Sequence, residues 1–125
     1  MEKKSFFYDE KGIIKEELLT TDALDLAREF KNRHLNPAQL RRFYHDAKAL
    51  EARVKAEEFE KIRPLIKMIK SKTAYSYGTN RIPGEFKRFI DTCIENIEQE
   101  KDFNGFILVF EAVVGYFYGE GGGRR

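Results

Sequence analysis

Residues 36–55, NPAQLRRFYHDAKALEARVK, carry the clearest helix signal of the chain. We expect a helix to begin at Asn36-Pro37, because asparagine is a favoured N-cap and proline in the first turn loses no hydrogen bond. Apolar residues then recur every three or four positions, which predicts an amphipathic helix with one face on a core. They are Leu40, Phe43, Tyr44, Ala47, Leu50 and Val54.

The far side of the same helix is basic. A helix turns by about 100° per residue, so its non-core positions can be assigned from the sequence. They form a stripe of Arg41, His45, Lys48 and Lys55, flanked by Arg42 and Arg53. We call these six residues the basic ridge, and we expect it to lie on the surface.

Helical spacing continues on both sides of this segment. Thr20 or Thr21 can cap a preceding helix. Before Pro64, proline geometry predicts a kink or break near residues 56–64, followed by a third helix that runs to a C-terminal stop at Gly78. A fourth helix follows the turn-rich loop 78–84 and carries Phe86, Phe89, Ile90, Cys93 and Ile97 on its apolar face.

The last helix, residues 103–118, contains a single charged residue, Glu111. A helix that is apolar nearly all round lies at the centre of a bundle or meets a partner, and we expect both. Four or five helices with short connections predict an all-α bundle.

We expect one domain over residues 20–118 between two flexible ends. The N-terminal arm, residues 1–19, is expected to order only against a neighbour, and whether it folds stays open. The glycine-rich tail, residues 119–125, is expected to be mobile.

Composition narrows the class of protein. A chain of 125 residues with 42% hydrophobic content can bury one core. The single Cys93 excludes an internal disulfide, and there is no signal-peptide core or apolar run of about 20 residues, so we expect a soluble cytoplasmic protein. Charged residues make up 35% of the chain, more than in an average globular protein, and such an excess is typical of thermophilic proteins.

The residues offer little for catalysis, and we expect no enzyme, no cofactor and no bound metal. His34 and His45 lack partners at metal-ligand spacing. Cys93 falls on an apolar face, which indicates a buried thiol. Three acidic residues are predicted to share one helical face, where a solvated surface is preferred over a cation site. They are Glu95, Glu98 and Asp102.

Charge is sorted along the chain. Residues 31–88 hold 15 Lys and Arg against 6 Asp and Glu, whereas the remainder holds 8 against 15. A basic middle between acidic flanks indicates a polyanion-binding surface, although solvated charge is the simpler alternative. Tyr75 and Tyr77 lie close to Lys72 and Arg81 and can stack bases, with partial burial as the more common role of such tyrosines.

Three segments resemble the small subunit of type III-A (Csm) CRISPR interference complexes: residues 40–44 (LRRFY), residues 69–75 (IKSKTAY) with Gly78 and Arg81, and residues 110–116 (FEAVVGY). The resemblance implies a helical, non-catalytic subunit that stacks beside the backbone and large subunits and lines the channel where target RNA pairs with CRISPR RNA, in antiviral defence. It implies basic contacts at Arg41, Arg42, Lys72 and Arg81. Helical geometry adds Lys48, Arg53, Lys55, Lys67 and Lys70 as RNA-binding candidates, with contacts to phosphates and no sequence preference.

Two other readings stay open at this point. The chain could be a helical interaction or scaffold module whose last helix docks a protein while its charges are solvated. It could also be a nuclease that uses Glu95, Glu98 and Asp102, which we do not expect.

The connection at residues 56–64 could straighten and exchange helices between two copies, giving a swapped dimer of the isolated protein.

Overall fold

Seven helices lie within residues 5–121, the part of the chain that the computed structural model describes. They are α1 (Glu16–Leu19), α2 (Thr21–Asn32), α3 (Pro37–Ala56), α4 (Phe59–Lys67), α5 (Ile69–Gly78), α6 (Gly84–Glu95) and α7 (Glu100–Gly121). The predicted all-α bundle is confirmed. Its five expected helices correspond to α2, α3, α4 with α5, α6 and α7.

The start of α3 follows the prediction. The Asn36 side-chain oxygen accepts a hydrogen bond of 2.7 Å from the backbone N–H of Ala38, and Pro37 occupies the first helical position. α2 also begins where predicted, at Thr21. Its cap bond does not form, however, because the Thr20 hydroxyl donates to the Glu16 carbonyl at 3.0 Å.

The expected break at residues 56–64 lies at Glu57 and Glu58, whose extended backbone separates α3 from α4. Pro64 does not break the chain and lies inside α4. The third helix, predicted to be continuous, instead divides at Met68. There the N–H of Ser71 donates to the Met68 carbonyl at 2.9 Å, a bond across three residues that tightens the backbone between α4 and α5.

α7 is the central helix, as its apolar sequence predicts, and it packs against α1, α2 and α3. Phe110 of α7 lies within 6.3 Å, between ring centres, of Phe86, Phe89 and Phe106, and within 5.4 Å of Tyr44. Ring pairs at these separations add to the free energy gained by burial. The core is therefore an aromatic cluster that joins α3, α6 and α7.

α7 is longer than predicted at both ends. At its C-terminus, Glu120 pairs with Arg28 of α2 at 3.1 Å, so part of the expected tail is helical; residues 122–125 lie outside the described residues. At its N-terminus, Asp102 accepts the backbone N–H groups of Glu98 and Gln99, both at 3.0 Å.

The predicted common face of Glu95, Glu98 and Asp102 is therefore wrong. Glu95 ends α6, Glu98 lies in the connection, and Asp102 belongs to α7. The bend between α6 and α7, which Asp102 stabilises, separates residues that one continuous helix would have aligned.

Residues 5–19 pack against their own chain, which corrects the expectation of an arm that orders only against a neighbour. Phe7 is fully buried, and the Tyr8 hydroxyl donates to the Lys101 carbonyl of α7 at 2.6 Å. The arm folds back through a bridge between Tyr8 and Ile14, with Gly12 at φ 80° in the turn. Residues 1–4 lie outside the described residues.

Gly105 is the point of closest approach between the arm and α7. A Cβ atom there would lie 2.9 Å from the Cβ of Phe7 and 3.2 Å from the Tyr8 hydroxyl oxygen. Contacts this short force a shift of the arm. The absence of a side chain at Gly105 is what lets Phe7 enter the core.

Two of the glycines of α7, Gly105 and Gly115, provide a matched test of the arm. We expect Gly105→Ala to lower the free energy of unfolding by about 1–3 kcal/mol through overpacking. Gly115→Ala, with open space around the added Cβ, should instead raise it by about 0.5–1 kcal/mol through helix propensity. Urea unfolding followed by circular dichroism measures both, and equal stabilisation by the two substitutions would contradict the packing of Phe7 on α7.

Asp102 gives a second test, of the bend between α6 and α7. Asp102→Ala leaves two part-buried N–H groups without their acceptor, so we expect a loss of about 1–3 kcal/mol in the free energy of unfolding. Glu100→Ala removes an exposed carboxylate from the same helical turn and should change stability by less than about 0.5 kcal/mol. The same urea titration compares them, and equal effects would show that charge in the first turn, not the two hydrogen bonds, stabilises the bend.

Candidate nucleic-acid interface

A cleft of about 380 Å³ separates α3 from α5. Arg42 and Asp46 lie four residues apart on one side of α3, and Lys72 and Tyr75 lie three residues apart on the facing side of α5. Arg81, in the loop that follows α5, also lines the cleft. The cleft thus gathers three of the nine predicted RNA-binding residues from three segments of the chain.

Charge in this cleft is mostly positive and accessible. Lys72 pairs loosely with Asp46, with 3.4 Å between Nζ and Oδ2, and both side chains stay more than 40% exposed. The Arg81 guanidinium lies 5.8 Å from the centre of the Tyr75 ring. Arg42 is exposed and forms no ion pair with any residue in the range 5–121.

Tyr75 projects into solvent beside these cations, with 62% of its surface exposed. Partial burial, the alternative considered from the sequence, is wrong for this residue. Tyr77 is 49% exposed and lies on the other side of α5, where its ring edge packs over Gly84.

The basic ridge lies on the surface of α3, and its charges are partly paired. Lys48 contacts Glu51 at 2.6 Å, and this hydrogen bond raises the pKa of Lys48. Arg53 pairs with Glu57 at 3.0 Å. Three ridge cations form no ion pair with a carboxylate among the described residues: Arg42, Lys55 and Arg41, whose guanidinium lies 5.8 Å from the Tyr118 ring centre.

Lys67 and Lys70 face away from the cleft, toward the end of α6. Lys67 donates to the Ile94 carbonyl at 2.7 Å, and burial, with the nearby charge of Arg63, lowers the pKa of Lys67. Lys70 pairs with Glu95 at 2.7 Å, a hydrogen bond that raises the pKa of Lys70. A lysine near the C-terminus of a helix donates hydrogen bonds to the free carbonyls there, and its charge is favourable to the helix dipole. Lys67 and Lys70 therefore stabilise the end of α6.

Asp46, Lys87 and Arg88 are functional candidates that the sequence argument missed. Asp46 gives no signal in the sequence, because it is a single acidic residue between the basic positions of α3. Lys87 and Arg88 line a shallow groove beside Tyr77, where Lys87 pairs with Asp91 at 2.7 Å. Lys87 and Arg88 lie inside the basic middle of the chain, which was the signal for them in the sequence. The sequence prediction for α6 described only its apolar face, and these two residues lie outside that face.

The described residues hold few groups arranged for chemistry. Across residues 5–121, no group of three or more His, Cys, Asp or Glu residues is placed to hold a metal ion. Cys93 is buried, and burial raises the pKa of its thiol. His34 and His45 are both exposed.

None of the helices in residues 5–121 has the length and apolarity needed to cross a membrane.

Comparison with known proteins supports the resemblance seen in the sequence. No curated protein and no solved structure gives a match. Among protein families, the one described as Csm2 Type III-A matches residues 14–122, nearly the whole chain. The chain therefore belongs to the Csm2 family, the small subunit of the type III-A CRISPR complex.

Proposed function

We propose that this Csm2-family subunit is a non-catalytic RNA-binding protein. In the complex it would line the channel where target RNA pairs with CRISPR RNA and hold the RNA through its phosphates, as part of antiviral defence. The observation that carries the proposal is the convergence of Arg42, Lys72 and Arg81 on the α3–α5 cleft. Its partners would be RNA, the backbone and large subunits, and further copies of the chain.

The electrostatics of α3 support contacts with more than one phosphate. Arg42 faces the cleft, whereas Arg41 and Lys55 lie on the outer side of the same helix. Arg41 and Arg42 are adjacent, and Lys55 lies about four helical turns further along α3. Unpaired cations at these two places can contact separate phosphates of an RNA backbone without reading its sequence. Lys67, Lys70 and the paired Lys48 and Arg53 contribute less, because each already has an internal partner.

A non-catalytic role fits the state of the candidate reactive groups. The Cys93 thiol is buried and its raised pKa keeps it protonated, so it is a poor nucleophile. The acidic residues considered for a nuclease, Glu95, Glu98 and Asp102, belong to different elements. We therefore propose no catalytic residue, no cofactor and no resident metal.

The alternative function, a protein-interaction module, is favoured by the outer side of α7. Leu108 is 44% exposed and Tyr118 is 37% exposed, with Glu111 and Gly115 between them along the same side of the helix. A stripe with a single charge among apolar residues can contact a protein subunit. Reconstitution of the complex with and without RNA, followed by native mass spectrometry, separates a subunit that needs RNA to be retained from one that does not.

RNA binding by the isolated protein tests the main proposal. We expect Arg42→Glu combined with Arg81→Glu to weaken binding of a single-stranded RNA by at least tenfold at low salt. Each lost phosphate contact should reduce the slope of log K against log salt by about 0.7, so the pair should reduce it by about 1.4. Fluorescence anisotropy at several salt concentrations measures both quantities.

Lys61→Glu is the matched control, since Lys61 is exposed on α4 and outside the proposed surface. A second pair, Arg41→Glu with Lys55→Glu, tests the ridge separately from the cleft. Binding that ignores salt, or that responds equally to Lys61→Glu, would show that the surface is wrongly assigned.

Self-association through exchanged helices is a further part of the proposal. The extended, exposed Glu57 and Glu58 form a hinge between α3 and α4. Replacing both with alanine should favour one continuous helix and a larger dimer fraction in light scattering at high protein concentration. Glu58→Pro disfavours helical geometry at Glu57 and should keep the protein monomeric; a strictly monomeric mass for the alanine variant would contradict the exchange.

A further inference from the structure

We propose that the α3–α5 cleft holds a single unpaired RNA base, stacked on Tyr75 with its hydrogen-bonding edge toward Asp46, and that it favours guanine. The inference rests on the proposed RNA binding and goes beyond it, because contacts with phosphates alone give no base preference. Three features of the cleft lead to it: an exposed ring, a carboxylate among cations, and a limited volume.

Tyr75 is the platform. The described phenylalanines of this chain are buried in the core or packed on it, whereas the Tyr75 ring is 62% exposed at the mouth of a cleft. Exposing a ring forfeits burial energy, so nothing in the packing accounts for its position. The planar Arg81 guanidinium lies beside the ring, and tyrosine with arginine is a favourable surround for a base.

Asp46 distinguishes a base from a phosphate. A phosphate placed against this carboxylate would be repelled, whereas the N–H groups of a base can donate to it. The carboxylate is available to a ligand, because its 3.4 Å contact with Lys72 is longer than a strong charge-assisted hydrogen bond, which measures about 2.7–2.9 Å. No residue among those described donates to its second oxygen, Oδ1.

The size of the cleft fits one base and excludes a helix. A volume of about 380 Å³ lies at the lower end of pockets for small ligands. A paired base cannot enter, since its edge is already engaged and its neighbours stay stacked. Arg42 of α3 and Lys72 of α5 line the cleft from its two helices, and in this proposal they hold the phosphates on either side of an inserted nucleotide.

Donor geometry sets the order of preference. Guanine presents two adjacent donors, N1–H and the N2 amino group, which match the two oxygens of a carboxylate. Adenine and cytosine present one amino group beside an acceptor nitrogen, and uracil presents one N–H between two carbonyl oxygens. We therefore expect guanine to bind best and uracil worst.

The test compares uridine decamers that carry either guanosine or uridine at the centre, with anisotropy as the readout. For the unmodified protein we expect the central guanosine to tighten binding by about fivefold or more. Asp46→Asn should abolish this difference, because an amide offers only one acceptor oxygen to the two donors of guanine. Tyr75→Leu should weaken binding of both decamers, and Tyr75→Phe should restore it.

Pairing provides the internal control, because the preference should vanish when the central guanosine is paired in a duplex. As a second measurement, guanosine 5′-monophosphate should shift the Tyr75 ring protons upfield in NMR spectra, and more strongly than uridine 5′-monophosphate does. Circular dichroism verifies that each variant is folded.

The outcomes separate this inference from the proposed function. If Asp46→Asn tightens binding of both decamers equally, or Tyr75→Leu changes neither, the base site is overturned while RNA binding stands. If the unmodified protein binds no decamer, or the reversal of Arg42 and Arg81 has no effect, the RNA-binding proposal fails as well.

Discussion

The structure depends on the burial of the phenylalanines of a single helix. Residues 103–118 of α7 carry one charge, Glu111, and the phenylalanines of this stretch contact side chains of α3 and α6 across one aromatic cluster. Every other helix therefore commits an apolar face to α7 or to a neighbour of α7. What remains for solvent is the opposite face of each helix, and in α3 that face is basic. The packing of each apolar face on the core therefore determines which cations lie on the surface.

Local patterns in the sequence predicted the elements whose signals are local. The Asn36-Pro37 cap, the apolar stripe of α3 and the stop at Gly78 depend on a few neighbouring residues, and each lies where expected. The packing of Phe7 depends instead on Gly105, almost a hundred residues later, and no periodicity signals that contact. Pro64 lies inside α4 and does not break it, contrary to what its sequence signal had predicted. The burial of the flanking Ile62 and Ile66 in the helical conformation outweighs the one hydrogen bond that proline cannot form.

The sequence predicted which kinds of residue form the candidate site, but it predicted the positions of only some of them. Charge counts identified a basic middle but not the direction of each side chain. Lys70 and Lys72 are two residues apart, and two steps of about 100° put them on opposite sides of α5. Lys70 therefore meets Glu95, whereas Lys72 faces the cleft. Of nine predicted cations, the fold joins Arg42, Lys72 and Arg81, and it adds Asp46, which a search for positive charge passes over.

That added carboxylate changes what the cleft can recognise. Three cations alone would form a site for any phosphate, and the rest of α3 already offers cations on an open surface. A concave site lined by a carboxylate and an exposed ring, with cations beside them, is suited to a flat ligand with N–H donors whose phosphates contact the cations. In our proposal the two surfaces have different roles: the basic ridge of α3 holds the continuous RNA backbone, and the cleft beside it binds a base that has left its stack.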